Sequence, residues 1–331
     1  MFGAAEARDR AQVFGELAAM VAAGVSIGEA VTVVAQGIPS TPMQRALMHV
    51  GREVSSGESF TASLKLHPDT FSPLTIAMLE VGEQAGRLEE ALRTVADYFE
   101  RDFELRSLLK RELTYPIILL IAILFIPLIA RMIVVWISET LPAALIAGAE
   151  QFVMYALVIG VPALLIRSLA RSMRRSREGR IRIDRIKLSI PLVGTVLRKL
   201  AVARFCRALA SLYSAGVMMG TALRLAGQAS GNAVVESDLG GRARLVDEGR
   251  SLSEALVGSS LLPGTVLRML KTGETTGEVD AMAHRVAGHL EQEAQTALKQ
   301  MAVAITPIVV VIAGIIVAVM VISFYVDFYA F

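Results

Sequence analysis

Few residues in this chain combine a reactive type with a spacing that chemistry could use. The four histidines are His49, His67, His284 and His289. None stands at ligand spacing from a cysteine or an acid, and His284 and His289, five apart, project from different faces of a helix. The single cysteine, Cys206, excludes an internal disulfide. No phosphate-cradling G-x-x-x-x-G-K-S/T loop, H-E-x-x-H helix or G-x-S-x-G elbow occurs. Nucleotide, zinc and serine hydrolysis by those routes lack their groups. No catalytic residue, cofactor or metal is expected, and the chain reads as a non-enzyme.

The sharpest local motif is G-E-x-x-G, present as Gly82, Glu83 and Gly86 and again as Gly273, Glu274 and Gly277. Its glycines predict a corner between two helices. Gly82 is expected to end one helix in a left-handed conformation and Gly86 to cap the next, with Glu89, or Asp280 in the second motif, in the first turn. Turn geometry calls for no acid at Glu83 or Glu274. Each is expected to be solvated or stabilised by a helix dipole, or else to contact a partner or a basic residue of its own bundle.

The elements that carry these motifs are duplicated. Gly24 and Gly28 recur as Gly216 and Gly220, and SGESFTASL (56–64) recurs as EGRSLSEAL (248–256), all 192 positions on. VGEQAGRL (81–88) returns as TGETTGEV (272–279), and Tyr115-Pro116-Ile117 as Thr306-Pro307-Ile308, both 191 positions on. Both copies read as helix, with no alternating runs of strand length. Capping pairs are expected at Ser26 with Glu29, Thr41 with Gln44 after Pro42, and Ser251 with Glu254. About six helices per copy are expected, packed as a bundle. The last of each, from about Gly86 or Gly277, should run long toward an apolar segment.

Apolar residues make up 54 % of the chain, charged residues 19 %, and the net charge is +2. The mean hydropathy is +0.55. That apolar fraction exceeds the usual share for a soluble globular chain. Uncharged runs at 113–130, 152–166 and 300–326 are candidate membrane helices, the second adequate once extended to residue 170. No Lys or Arg occurs from 132 to 166, whereas Arg167, Arg171, Arg174, Arg175, Arg177, Arg180, Arg182, Arg185 and Lys187 follow densely. Basic flanks face the cytoplasm. The basic run is expected to lie against anionic membrane lipid rather than to dock an acidic partner or nucleic acid. Pro116 and Pro307 sit at the entries of the first and third runs and are expected to bend the helix there. The first residues carry acids and no apolar core, so no secretory leader is expected.

The expected architecture is all-α and polytopic, with two duplicated cytoplasmic six-helix bundle domains and three transmembrane helices. Its parts are a first domain at 1–112, a span at 113–136, a periplasmic connection at 137–149, a span at 150–170, a second domain at 171–299, a span at 300–326 and a periplasmic tail at 327–331.

These motifs, in this order and twice over, resemble the GspF/PilC family of type II secretion and type IV pilus inner-membrane proteins. The resemblance runs through AAGVSIGEAV, SGESFTASL, VGEQAGRLEEAL and LTYPIILL in the first copy. In the second it runs through ARFCRALASLYSAGVMMGTALRLA, EGRSLSEAL, TGETTGEVDAM and ITPIVVVIAGIIVAVMV. It implies a multi-pass platform protein of the cell inner membrane, N-terminus cytoplasmic, that works as a homo-oligomer. Such a protein couples a cytoplasmic secretion or pilus ATPase to assembly of pilin or pseudopilin, beside other inner-membrane assembly subunits. It implies no catalytic residue. A transporter or permease component would need polar groups inside the spans, which are nearly absent. A membrane-anchored adaptor is the other alternative.

Overall fold

The computed structural model describes residues 4–39, 41–138, 141–155, 157, 160–173, 176–191 and 193–329; the side chains of Ala4 and of part of the helical residues in 109–173 and 302–329 stand outside that description. Every regular element among the described residues is helical. The first copy holds α1 (Ala4–Ala22), α2 (Ile27–Gly37), α3 (Pro42–Ser55), α4 (Phe60–Lys65), α5 (Pro73–Gln84) and α6 (Leu88–Ser138). Then come α7 (Leu141–Tyr155), α8 (Val161–Met173) and α9 (Arg177–Ser189). The second copy holds α10 (Val193–Ser214), α11 (Met219–Ala229), α12 (Ala233–Asp238), α13 (Ala243–Asp247), α14 (Leu252–Leu256), α15 (Gly264–Thr276) and α16 (Val279–Tyr329).

The expected caps are in place. Ser26 accepts from the Glu29 amide, and Thr41 from that of Gln44 with Pro42 opening α3. Ser251 and Glu254 form the reciprocal capping box at α14. Each satisfies amides that a helix N-terminus leaves without an internal acceptor.

Two compact units emerge, Met1–Leu108 with Gly194–Ala294, and Leu109–Val193 with Gln295–Phe331. The first unit contains both bundles around one continuous apolar core that includes Phe14, Leu47, Phe60, Leu79, Phe205, Leu223 and Leu290. Arg10 is buried in it: its guanidinium donates to the Thr70 carbonyl, pairs with Glu6 and lies 5.6 Å over the Phe99 ring.

The second copy departs from the first at one element. Where α3 is continuous, its counterpart is split into α12, a 3-10 turn at Gly240–Arg242, and α13. Two adjacent glycines weaken helix here. A β-carbon on Gly227 of α11 would stand 2.8 Å from the Gly240 Cα, so backbone meets backbone. Arg242 then closes the break by donating to the Ala255 and Val257 carbonyls and pairing with Asp238.

In the second unit, many of the described large apolar side chains are exposed. Ile118, Ile121, Phe125, Ile129, Ile133 and Trp136 are all exposed along α6, with Trp136 57 % accessible. Val303, Val310, Ile315 and Ile322 are exposed on α16, and Leu164, Leu165 and Leu169 on α8. Both α6 and α16 are 51 residues long and run without interruption past positions 116 and 307, so neither proline restarts its helix. The side chain of Pro116 lies outside the described residues, and Arg174 and Arg175 of the basic run lie outside them entirely. Among the described residues no helix is long and apolar enough to cross a membrane.

The split helix makes a test. Gly241 has open space around its Cα, whereas Gly227 has none. Gly241→Ala is expected to raise stability by about 0.5–1 kcal/mol. Gly227→Ala is expected to lower it by about 1–3 kcal/mol. Denaturant unfolding of the purified chain measures both, and equal effects would refute the packing argument.

Candidate functional site

Glu83 and Glu274 each bind the start of a neighbouring helix. The Glu83 carboxylate accepts from the amides of Phe60 (2.7 Å) and Thr61 (3.0 Å) and from the Ser59 hydroxyl (2.9 Å) and the Thr61 hydroxyl. Ser59 itself takes the Ala62 amide, so the open end of α4 is fully engaged. In the second copy Glu274 accepts from the amides of Leu252 and Ser253, the latter at 2.9 Å, while Ser251 takes the Glu254 amide. The same clamp is therefore built twice. Helices as short as α4 and α14 do not hold alone in water. A carboxylate on their exposed amides satisfies the donors and faces the positive end of the dipole. Burial raises both carboxyls, but the hydrogen bonds from Thr61, Ser59 and Phe60, or from Ser253, Leu252 and Ser251, outweigh it and leave both below the ordinary range.

The glycines have other roles than their turn positions predicted. Gly82 lies inside α5 without a left-handed backbone, and a β-carbon there would stand 2.3 Å from that of Ala91 on α6. Gly273 in α15 is confined in the same way by Met282 and the Glu278 carbonyl. The left-handed residues are Gly86 and Gly277, with φ of 67° and 78°. Gly86 closes the end of α5: its amide donates to the Glu83 carbonyl and that of Arg87 to the Gly82 carbonyl. It does not cap α6, which begins at Leu88. Thus Gly82 permits the crossing, Gly86 the turn, and Glu83 locks the corner to α4. The paired recurrence of S-x-T/S upstream of G-E-x-x-G in both copies was the signal for this contact.

Among the described residues, the remaining reactive groups do not assemble into a catalytic set. His49 and His67, separate in sequence, meet with Nδ1 and Nε2 3.1 Å apart. Burial first, then the neighbouring His49, holds His67 below its ordinary value. Cys206 is buried, which pushes its thiol up to about 12. Among the described residues no three His, Cys, Asp or Glu side chains converge as a metal site.

One further polar cluster lies between the two copies. Tyr98, Asp102 and Arg106 of α6 meet Arg204 and Arg207 of α10, with Arg106 2.7 Å and Arg204 4.0 Å from Asp102. Arg207 pairs with Glu291 of α16, both side chains nearly buried. Burial raises the Tyr98 phenol, and it raises Glu291 more than Arg207 can offset. The Arg204 Nε and a Glu291 oxygen are buried with no hydrogen-bond partner among the described residues. No periodicity in the sequence marks these residues, because a lone Arg reads as surface.

The family model for type II secretion system (T2SS), protein F matches residues 14–135 and again 205–326. The two matched segments coincide with the two copies and the helices that leave them. Among curated proteins, the chain is 28 % identical to the type IV pilus assembly protein PilC of Pseudomonas aeruginosa, over 94 % of this chain and 86 % of that one. It is 30 % identical to the type II secretion system protein F of the same organism, over 96 % and 81 %. It is likewise 30 % identical to the type IV pilus assembly protein PilC of Thermus thermophilus, over 92 % and 78 %.

The clamp makes a prediction with a sign. The folded carboxyls keep their charge to lower pH than the unfolded chain. Their contribution is therefore present above the unfolded value of 4.5 and is lost as pH falls through the folded value. Glu83→Ala or Glu274→Ala should each cost about 1–2 kcal/mol, reduced from the full charged-bond value because the carboxylates are partly exposed. Denaturation midpoints at pH 7.5 should fall for both while Glu80→Ala stays near wild type. The gap should narrow as pH drops below 4.5. Unchanged midpoints in both variants would refute the clamp.

Proposed function

Since the chain belongs to the type II secretion system protein F family, we propose that it is the inner-membrane platform subunit of a type IV pilus or type II secretion machine. In this reading both helical bundles stand in the cytoplasm and three apolar helices anchor them. A cytoplasmic assembly ATPase acts on the bundles, and pilin or pseudopilin subunits leave the bilayer beside the anchors. The carrying observation is the duplication itself: each matched segment joins a helical bundle to a long helix whose second half bears exposed large apolar side chains.

Three further points support the reading. Each large apolar side chain on α6, α8 and α16 gains about 1.5–3 kcal/mol on leaving water, so the exposed stripes call for lipid or a partner. The uncharged runs at 113–130 and 300–326 have the length of a crossing, and that at 152–166 reaches it once extended to residue 170. The basic residues after 166, like those before 113, support a cytoplasmic position for both bundles. Glu83 and Glu274 act in this scheme as internal braces that let each bundle pass force as one body. Pro116 and Pro307 stand where the anchors enter the lipid.

The test uses a bacterium that makes such a machine. Removing the gene should abolish filaments or secreted substrate, and restoring a tagged copy should recover them. The tagged chain, taken from detergent-solubilised membranes, should retain the assembly ATPase. Wild-type output without the gene, or repeated recovery without any such ATPase, would overturn the proposal.

A further inference from the structure

The two bundles pack head to tail, and that packing leaves one unused copy of each of its two faces. The last helix of the first bundle, α6, lies along the groove between α10 and α16 of the second. Tyr98 and Asp102 meet Arg204 and Arg207 of α10, while Asp97 and Arg101 lie within electrostatic reach of His284 of α16. Beside this seam Leu225 and Gln228 of α11 share a cavity of about 310 Å3 with Ser72, Pro73 and Tyr98.

The repeat says what the equivalent surfaces are. The α10/α16 groove corresponds to the groove between α1 and α6 in the first bundle. Arg204, Arg207, His284 and Glu291 become Gln12, Gly15, Arg93 and Glu100. That groove is open, with a volume of about 530 Å3 and a floor of Ala11, Gly15, Ala18 and Ala96. Burial confirms the contrast: Ala208 and Ser211 on the outer face of α10 are buried, whereas their counterparts Glu16 and Ala19 on α1 are exposed. Leu225 corresponds to Val33, which is 48 % exposed on α2.

The opposite face is equally unused on the second bundle. Tyr98 and Asp102 correspond to His289 and Glu293, whose side chains are 56 % and 40 % exposed. Ser72 and Phe99 correspond to Pro263 and Leu290, which line an open cavity of about 250 Å3. Both surfaces carry charges of both signs: Glu293 stands beside Lys199 and His289, and the open groove carries Arg8 and Arg93 with Asp97 and Glu100.

We infer that the α1/α6 groove seats a second copy of this chain, which lays the Gly288–Glu293 stretch of its α16 there as α6 lies on α10 and α16. Val33 of one chain then fills the cavity beside Pro263 of the other, as Leu225 does beside Pro73 within the chain. The contact joins unlike faces, so it propagates to a third copy unless the rotation closes a ring. It deepens the oligomeric reading of the resemblance but does not depend on a pilus or secretion role.

Cysteine cross-linking of the full chain in membranes reads the contact directly. Differently tagged copies carrying Ala19→Cys and His289→Cys are mixed by co-expression and treated with a short bifunctional maleimide. The native Cys206 is buried and should stay silent. A mixed Ala19→Cys with His289→Cys product is expected, and each variant alone should give little dimer. Absence of the mixed product, or efficient linking of like positions alone, would overturn the inference. As a second reading, Ala19→Glu, on an exposed position, should lower the oligomer mass in detergent at unchanged helicity. Undiminished mass would count against the groove in the same way.

Discussion

A helix whose first half is packed in a bundle and whose second half carries exposed large apolar side chains needs an apolar partner for that second half. Both α6 and α16 are such helices, each 51 residues long. Their first halves form one wall of a bundle, with Leu92, Val95, Val286 and Leu290 buried. Their second halves present large apolar side chains outward. Water penalises that surface and a lipid or protein environment does not. Each bundle holds the first half of its long helix in place.

The bundles achieve this by polar locks at corners rather than by apolar packing alone. The carboxylate of Glu83 or Glu274 reaches from one helix to the amides of another too short to persist unaided. Beside it, Gly82 or Gly273 brings the long helix closer than any side chain would permit. An acid and a glycine in adjacent positions thus connect three helices. The seam between the copies is built differently, from partly desolvated Arg and Asp groups that are costly when left without partners. Such a seam favours one register of the two bundles over others.

Much of this was legible in the residues. The duplication, the all-helical character, the caps at Ser26, Thr41 and Ser251 and the long final helices follow from spacing and helix-start chemistry. The partner of Glu83 was not, because a contact over more than twenty positions leaves no local period; only its repetition in the second copy hinted at it. Gly82 was given the left-handed turn that belongs to Gly86, because both glycine uses, close crossing and positive φ, look alike in one dimension. The break between α12 and α13 depended on Gly227 meeting Gly240 in space. The inward turn of Arg10, Arg204 and Arg207 was invisible for the opposite reason, since arginine is ordinarily a surface residue.

The account depends most on both bundles standing on one side of the membrane. Leu66→Cys in the first and Val257→Cys in the second place single reactive thiols on exposed residues outside the candidate spans. An impermeant maleimide applied to intact spheroplasts and to inverted membrane vesicles then reports the side of each. Protection of both in spheroplasts with labelling of both in inverted vesicles is the predicted result. Labelling of either one in intact spheroplasts would contradict it.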